Sequence, residues 1–260
     1  MTLIDTHSHI HIKDFDNDRE AVINRAKVAG VSQIVTLGTD LTSSLKVLEV
    51  ARKHPEVFAA IGIHPTEAQH AQPADYSKLR NLAIKEPKVV AVGETGLDFY
   101  WDKTHYEAQY ANFRQMLNLG KELDLPVVIH NRSAHREMEW FFQEEKFEEV
   151  YGVMHCFSGE RIDAKFYLEM GLHISFTADI TRKNFRYPDV LKYVPLDRVM
   201  IETDSPYIVP RQVKAKRNEP ANVVYVAEKL AEVHQKPLAE IAHITTENAR
   251  RFFRLPEGLA

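Results

Sequence analysis

The sequence holds a single cysteine, Cys156. One thiol makes no intrachain disulfide, so the fold must rest on its hydrophobic core, and nothing in the cysteine content points to an oxidising compartment. Long apolar runs are missing too; none approaches the roughly 20 residues of a membrane-spanning helix. No basic stretch followed by an apolar core opens the chain, so no secretory leader is read and a cytoplasmic location is expected. No Pro/Gly/Ser-rich linker, repeat or low-complexity stretch divides the chain, so one domain over residues 1–260 is expected. Positive charge is not in excess. The formal net charge is −4, so nucleic acid would have to be held by local clusters rather than an overall field. Nor does a glycine-rich phosphate loop follow the first apolar run, which argues against a dinucleotide-binding sheet.

What is present is an ordinary globular composition, 44% hydrophobic and 27% charged. Short apolar runs recur: "SQIVTLG", "VFAAIGI", "KVVAVG", "LPVVIH", "YGVMH", "LHISF" and "RVMIE". They are continuous rather than alternating and rich in Val and Ile, as in parallel strands buried on both faces. Longer segments between them have helical spacing. Tyr106, Tyr110, Phe113 and Leu117 share one face, as do Val22, Ala26 and Ala29 before a C-capping Gly30. With "DTHSHI" near the start, eight strands alternate with helices. The pattern is α/β, either a closed (β/α)8 barrel or an open doubly wound sheet, and the length suits a barrel, typically about 250 residues.

Polar residues cluster where the apolar runs end. His64 follows "AAIGI", Glu94 follows "VVAVG", His130 follows "PVVI", His155 follows "YGVM" and Asp204 follows "VMIET". The opening segment adds His7, His9 and His11 at alternate positions, which in a strand point to one face. A core histidine satisfied by one hydrogen bond is the plain reading of any single case. Repetition on strand after strand is different, because ionisable groups gathered at one barrel end need a partner. Imidazoles and carboxylates suit divalent metals, and the donors are too many for one tetrahedral ion. Two bridged ions fit better.

"DTHSHI", "GIHP", "GETGLDFY", "HNRSAH", "HCFSG", "ETDSPY" and "RNEPANV", in that order, closely resemble the TatD-like metal-dependent deoxyribonucleases of the amidohydrolase superfamily. The resemblance runs from Asp5 to about Phe253. It implies a single-domain TIM barrel with two divalent ions, Mg, Mn or Zn. By the family's pattern His7, His9 and Asp204 hold one ion, Glu94 bridges, and His130 and His155 hold the other. His64 contacts the scissile phosphate, Asp204 acts as general base, and Glu202 and Asp98 orient ligands. His11 stands where the family often has Asp; it is expected in the first loop near the cleft. Asp5 is expected to be structural. Cys156 adjoins a ligand, but one position along a strand turns its thiol to the opposite face, so a buried structural cysteine is expected.

The resemblance makes DNA the substrate, single-stranded or damaged, acted on by a monomer. The stretch "FYWDK" places Phe99, Tyr100 and Trp101 in a loop on the expected catalytic face, where one of them would stack on a base. The other reading is that they pack the loop onto the barrel. Basic residues gather in "TRKNFR" (Arg182, Lys183, Arg186) and "PRQVKAKRNEP" (Arg211, Lys214, Lys216, Arg217), with Arg132 and Arg136 after the fifth strand. These would rim one mouth as a local attractant for an anionic strand, against the alternative of solvated loops. Two rival functions stay open at this level. One is an esterase or amidohydrolase, such as a D-aminoacyl-tRNA deacylase, because the metals polarise a carbonyl equally well. No lysine stands at the position of Glu94, where many amidohydrolases carry a carboxylated one. The other rival is a non-catalytic metal-bound binding module.

Overall fold

In the computed structural model, residues 1–101 and 104–257 are described; Asp102 and Lys103 of "FYWDK" lie outside them. Strands and helices alternate from the start. β1 (Leu3–Ser8), α1 (Arg19–Val28), β2 (Val31–Leu37), α2 (Leu41–Lys53) and β3 (Val57–Ile61) come first. There follow α3 (Pro73–Lys85), β4 (Val89–Asp98), α4 (Tyr106–Leu123), β5 (Val127–Arg132), α5 (His135–Glu144) and β6 (Gly152–Met154). The chain ends with α6 (Arg161–Glu169), β7 (His173–Phe176), a one-turn α7 (Val190–Tyr193), β8 (Val199–Ile201), α8 (Val223–His234) and α9 (Leu238–Phe253). The strands are neighbours in chain order, β1 to β8, and every pairing is parallel. That order removes the open doubly wound sheet and makes a single-domain (β/α)8 TIM barrel. No helix among the described residues is long and apolar enough to cross a membrane.

Both strand faces are buried, which is why the apolar runs do not alternate. One face meets the helices: Leu3, Ile34, Ile129 and Ile174 pack in the same core as Val22, Val47, Phe113 and Phe141. The other face forms a second core inside the barrel, from Ile4, Val35, Phe58, Val90, Val128, Val153 and Met200. Phe252 and Phe253, at the end of α9, and Leu255 just beyond it belong to this inner core and plug the barrel against the early positions of the strands. The expected helical faces are met in part: Val22 and Ala26 on α1, and Phe113 and Leu117 on α4, are buried, whereas Tyr106 is exposed, Tyr110 is half-buried and Ala29 stands just past the end of α1. Gly30 ends the first of these helices at φ 91°, a left-handed conformation that glycine adopts without strain.

β1 and β8 close the ring through a sparse seam. Ser8 bridges Ser205, Thr6 Oγ1 donates to the Ile201 carbonyl at 3.0 Å, and His9 N donates to Ser205 O at 2.7 Å. Asp5 is fully buried there and accepts from Thr203 N at 2.8 Å and Thr203 Oγ1 at 2.6 Å. It works as a clamp, in line with its structural reading.

A candidate metal centre

The C-terminal end of the barrel is where the seam, β4, β5 and the strand ends converge. β1 stops at Ser8, so of the three opening histidines only His7 lies within the strand. His9 follows it, and Asp204, after β8, donates its backbone N–H to His7 O at 2.9 Å. Closing the seam therefore brings His7, His9 and Asp204 together. β4 runs through Glu94 and on to Asp98, longer than its apolar run indicated. Glu94 becomes a strand residue facing the middle of the mouth. Gly96 permits this: it sits at φ 140°, and a Cβ there would lie 2.0 Å from the His130 carbonyl oxygen on β5.

Glu94 sits between two sets of imidazoles. Its Oε2 lies 3.3 Å from His7 Nε2 and 3.6 Å from His9 Nε2. Its Oε1 lies 2.8 Å from His130 Nδ1 and 3.0 Å from His155 Nε2. Asp204 Oδ1 lies 3.6 Å and 3.5 Å from the Nε2 atoms of His7 and His9. His7 and His9 bring their Nε2 atoms to 3.2 Å, and His130 Nδ1 meets His155 Nε2 at 3.3 Å. Ligands about 2.1 Å from a shared tetrahedral ion stand roughly 3.4 Å apart, so these spacings fit donors converging on cations.

The remaining ring nitrogens fix the tautomers. His9 Nδ1 lies 3.0 Å from the Leu37 carbonyl, His155 Nδ1 lies 3.1 Å from Glu202 Oε1, and His130 Nε2 lies 3.0 Å from Asp98 Oδ2. Each partner only accepts, so these nitrogens carry the hydrogens. The opposite nitrogens face Glu94 and Asp204 and share hydrogens with them; a bound cation would displace those hydrogens and meet lone pairs, as metal-ligating imidazoles require. Glu202 is itself held by Ser175 Oγ at 2.5 Å and Cys156 N at 2.8 Å, and Asp98 caps Tyr100 N and Trp101 N, each at 2.9 Å. Both carboxylates thus sit where ligand-orienting groups belong. His64 has the other tautomer. Its Nδ1 accepts from Thr66 N at 3.2 Å, leaving Nε2–H aimed at the cluster, 3.5 Å from Glu94 Oε1. It therefore offers a hydrogen-bond donor rather than a ligand lone pair.

The electrostatics favour cations. Burial raises the Glu94 carboxyl, but the His155, His64 and His7 imidazoles outweigh it and hold Glu94 well below its usual range. Burial also raises Asp204, and a hydrogen bond from His9 with the charges of His7 and His155 brings it down. His64 is lowered, by burial first and then by His130.

Other expected residues take varied places. His11 lies beyond β1 as expected, but it is buried, its ring 5.9 Å from that of His9. Burial, then His9, Arg19 and Lys46, push its pKa down to about 3. Cys156 is not on a strand: β6 ends at Met154, and Cys156 occupies a partly exposed turn at φ 47°. Its thiol contacts Thr177 Oγ1 at 3.5 Å. Burial and the nearby carboxylates of Asp204 and Glu202 raise its pKa well above the usual value, so it is a poor nucleophile for reasons other than strand alternation. Arg217, read as a substrate contact, instead forks onto Asp18 at 2.9 and 2.7 Å and lies 4.4 Å over the Phe15 ring. It struts the last loop against α1. Arg211, Lys214 and Lys216 are exposed in that loop, and Arg211 N donates to Thr181 Oγ1, joining it to the loop of Arg182 and Lys183. Arg132, Tyr100 and Trp101 lie together beside Asp98 and His130. Tyr207, its ring 6.1 Å from His9, carried no signal beyond its place in "ETDSPY".

A parallel barrel whose C-terminal mouth gathers oriented imidazoles around a shared carboxylate is the architecture of a metal-dependent hydrolase. The chain belongs to the TatD related DNase family, whose pattern matches residues 4–254. It is 42% identical over 254 residues to a metal-dependent hydrolase of Bacillus subtilis strain 168, covering 97% of this chain and 99% of that one. It is 36% identical over 248 residues to the 3'-5' ssDNA/RNA exonuclease TatD of a Rahnella strain, covering 93% and 94%. The solved structure of YjjV, a TatD homologue of Escherichia coli K12, superposes with a TM-score of 0.91 at 31% identity and 98% coverage of both chains.

Proposed function

We propose that this protein is a divalent-cation-dependent nuclease that hydrolyses phosphodiester bonds of single-stranded DNA from a strand end. The observation that carries this is the set of three histidines, each with one nitrogen held by an acceptor and the other nitrogen aimed at the cluster around Glu94. His7, His9 and Asp204 would hold one cation, His130 and His155 a second, with Glu94 between them. Mg, Mn and Zn all suit these donors. When bound, the cations polarise the phosphoryl group and lower the pKa of the attacking water.

The chain's own groups do the rest. Asp204 accepts the proton of the attacking water. His64 Nε2–H donates to a non-bridging phosphate oxygen and stabilises the charge that builds there. Glu202 and Asp98 keep His155 and His130 in the ligating tautomer. The bond from phosphorus to the sugar oxygen breaks, and that oxygen leaves as an alcohol with the proton that Asp204 took from the water. Exposed cations at the end of β5 and on the loops after β7 and β8 (Arg132, Lys183, Arg211 and Lys214 among them) attract the backbone. The kinship with named exonucleases supports the phosphodiester reading, and the D-aminoacyl-tRNA deacylase alternative finds no support in these relatives.

The test is cleavage of end-labelled single-stranded DNA by chelator-stripped protein with Mg, Mn or Zn added back. Metal-dependent shortening, lost in the His7→Ala/His9→Ala double variant, is the expected result. No cleavage with any of the cations overturns the proposal.

A further inference from the structure

Two large aromatics are exposed at the mouth, Tyr100 at 57% and Trp101 at 67%. They are not random surface residues. Their rings meet edge to face, with centroids 4.9 Å apart. The Arg132 guanidinium lies 4.1 Å from the Tyr100 ring centroid and 5.3 Å from that of Trp101. Asp98 fixes the start of the loop by accepting both backbone N–H groups through Oδ1, while its Oδ2 receives the His130 ring. Phe99 anchors the base of the loop, its N–H on Arg132 O and its ring against Tyr110. On β5, Arg132 stands two residues past His130, so the platform begins about 7 Å along the strand from the ligand.

We infer that Trp101, held edge to face by Tyr100 with Arg132 against both rings, forms a stacking platform for the base of the nucleotide whose phosphate lies at the metal centre. This rests on the nuclease reading and gives it a selectivity. Inside a duplex both faces of a base are covered by stacked neighbours, and at a duplex end pairing still holds the base in line with its partner, whereas an unpaired base can swing out and lay its face on an aromatic ring. The platform selects unstacked, single-stranded ends. It reads no sequence, because every base has a π-face. Asp98 acts as a positioning residue, tying the base-holding loop to the imidazole it orients.

The test compares oligo(dT) with an abasic deoxyribose-phosphate strand of equal length. Trp101→Ala is expected to raise KM for oligo(dT) roughly 10- to 100-fold with little change in kcat, and to leave the abasic strand unaffected. A second readout does not need turnover. Trp140 is the other tryptophan, so the Trp140→Phe protein reports on Trp101 alone. Its fluorescence should be quenched by oligo(dT), and not by the abasic strand or a blunt duplex. Equal losses on both strands, or no quenching by oligo(dT), overturn the platform. If no strand is cleaved with any cation, the nuclease reading falls and the quenching experiment alone decides the platform.

Discussion

Glu202 shows what one residue does here without facing substrate. It takes the His155 ring hydrogen and the Cys156 N–H on one oxygen and the Ser175 hydroxyl on the other. Glu202→Gln keeps the shape and removes the charge that makes His155 a strong donor. Metal affinity should fall about 10- to 100-fold with the fold intact; titration calorimetry with Zn or Mn checks this, and unchanged affinity would leave Glu202 a packing group. His173, at the start of β7, makes a different kind of prediction. Its Nδ1 is buried without a partner, and burial, then Arg198, push its pKa down to about 4. The native state favours the neutral ring, so the unfolded chain binds more protons between about pH 4 and 6.5. This contribution is present above about pH 6.5 and is lost as pH falls toward 4. His173→Gln should remove on the order of 2 kcal/mol of that slope, allowing for partial exposure. Urea unfolding of both proteins at pH 4.5 and pH 7 measures it, and parallel curves would reject it. The residues that the fold gathers at the mouth could be listed from the sequence because each lies on, follows or ends an apolar run. The tautomers could not, since Leu37, Asp98 and Thr66 are ordinary residues until folding sets them beside a ring.

At the scale of elements, β4 carries the largest difference between sequence and structure. Its apolar pattern stops at Gly93, yet the strand continues through "ETGLD" to Asp98. Gly93 and Gly96 interrupt the pattern, and the polar residues after them read as a loop. In the barrel they are strand residues because β4 and β5 approach closely, with Gly96 opposite His130 and Asp98 opposite Arg132. Gly96→Ala puts a Cβ into the His130 carbonyl at a φ that alanine avoids. Relief would have to come from parting β4 from β5, which separates Glu94 from His130. The expected cost is about 2–5 kcal/mol of stability with loss of metal binding. Denaturant melts and calorimetry report it; a variant that binds metal normally would show that the strands can part elsewhere. β6 errs the other way. It has three residues, so alternation could not be extended to Cys156, and the left-handed turn there decides where the thiol lies. The strand count, by contrast, was legible, because burial on both faces leaves a continuous apolar signature; the order was not, since the same runs suit a barrel or a doubly wound sheet.

The whole molecule is closed unevenly. Its base is sealed by apolar packing, where the end of α9 fills the inner core with Phe252 and Phe253. That plug left no trace in the sequence reading, since its helix resembles any other outer helix. The seam between β1 and β8 is held mainly by single hydrogen bonds and the Asp5–Thr203 clamp. The donors His7 and His9 lie on one side of that seam and Asp204 on the other. A cation held by all three would therefore join the first and last strands. Binding at about 1,000 times Kd adds roughly 4 kcal/mol, and each kcal/mol is worth about 2–4 °C for a domain near this size. Chelation should lower Tm by on the order of 10 °C. Mass action alone would produce that shift, so the seam needs its own measurement. In amide hydrogen exchange, added cation should slow the N–H groups of His9 and Asp204, which cross the seam, more than those pairing β5 with β6. Uniform slowing would mean that the cation stabilises the barrel as a unit, and that closure owes nothing to it.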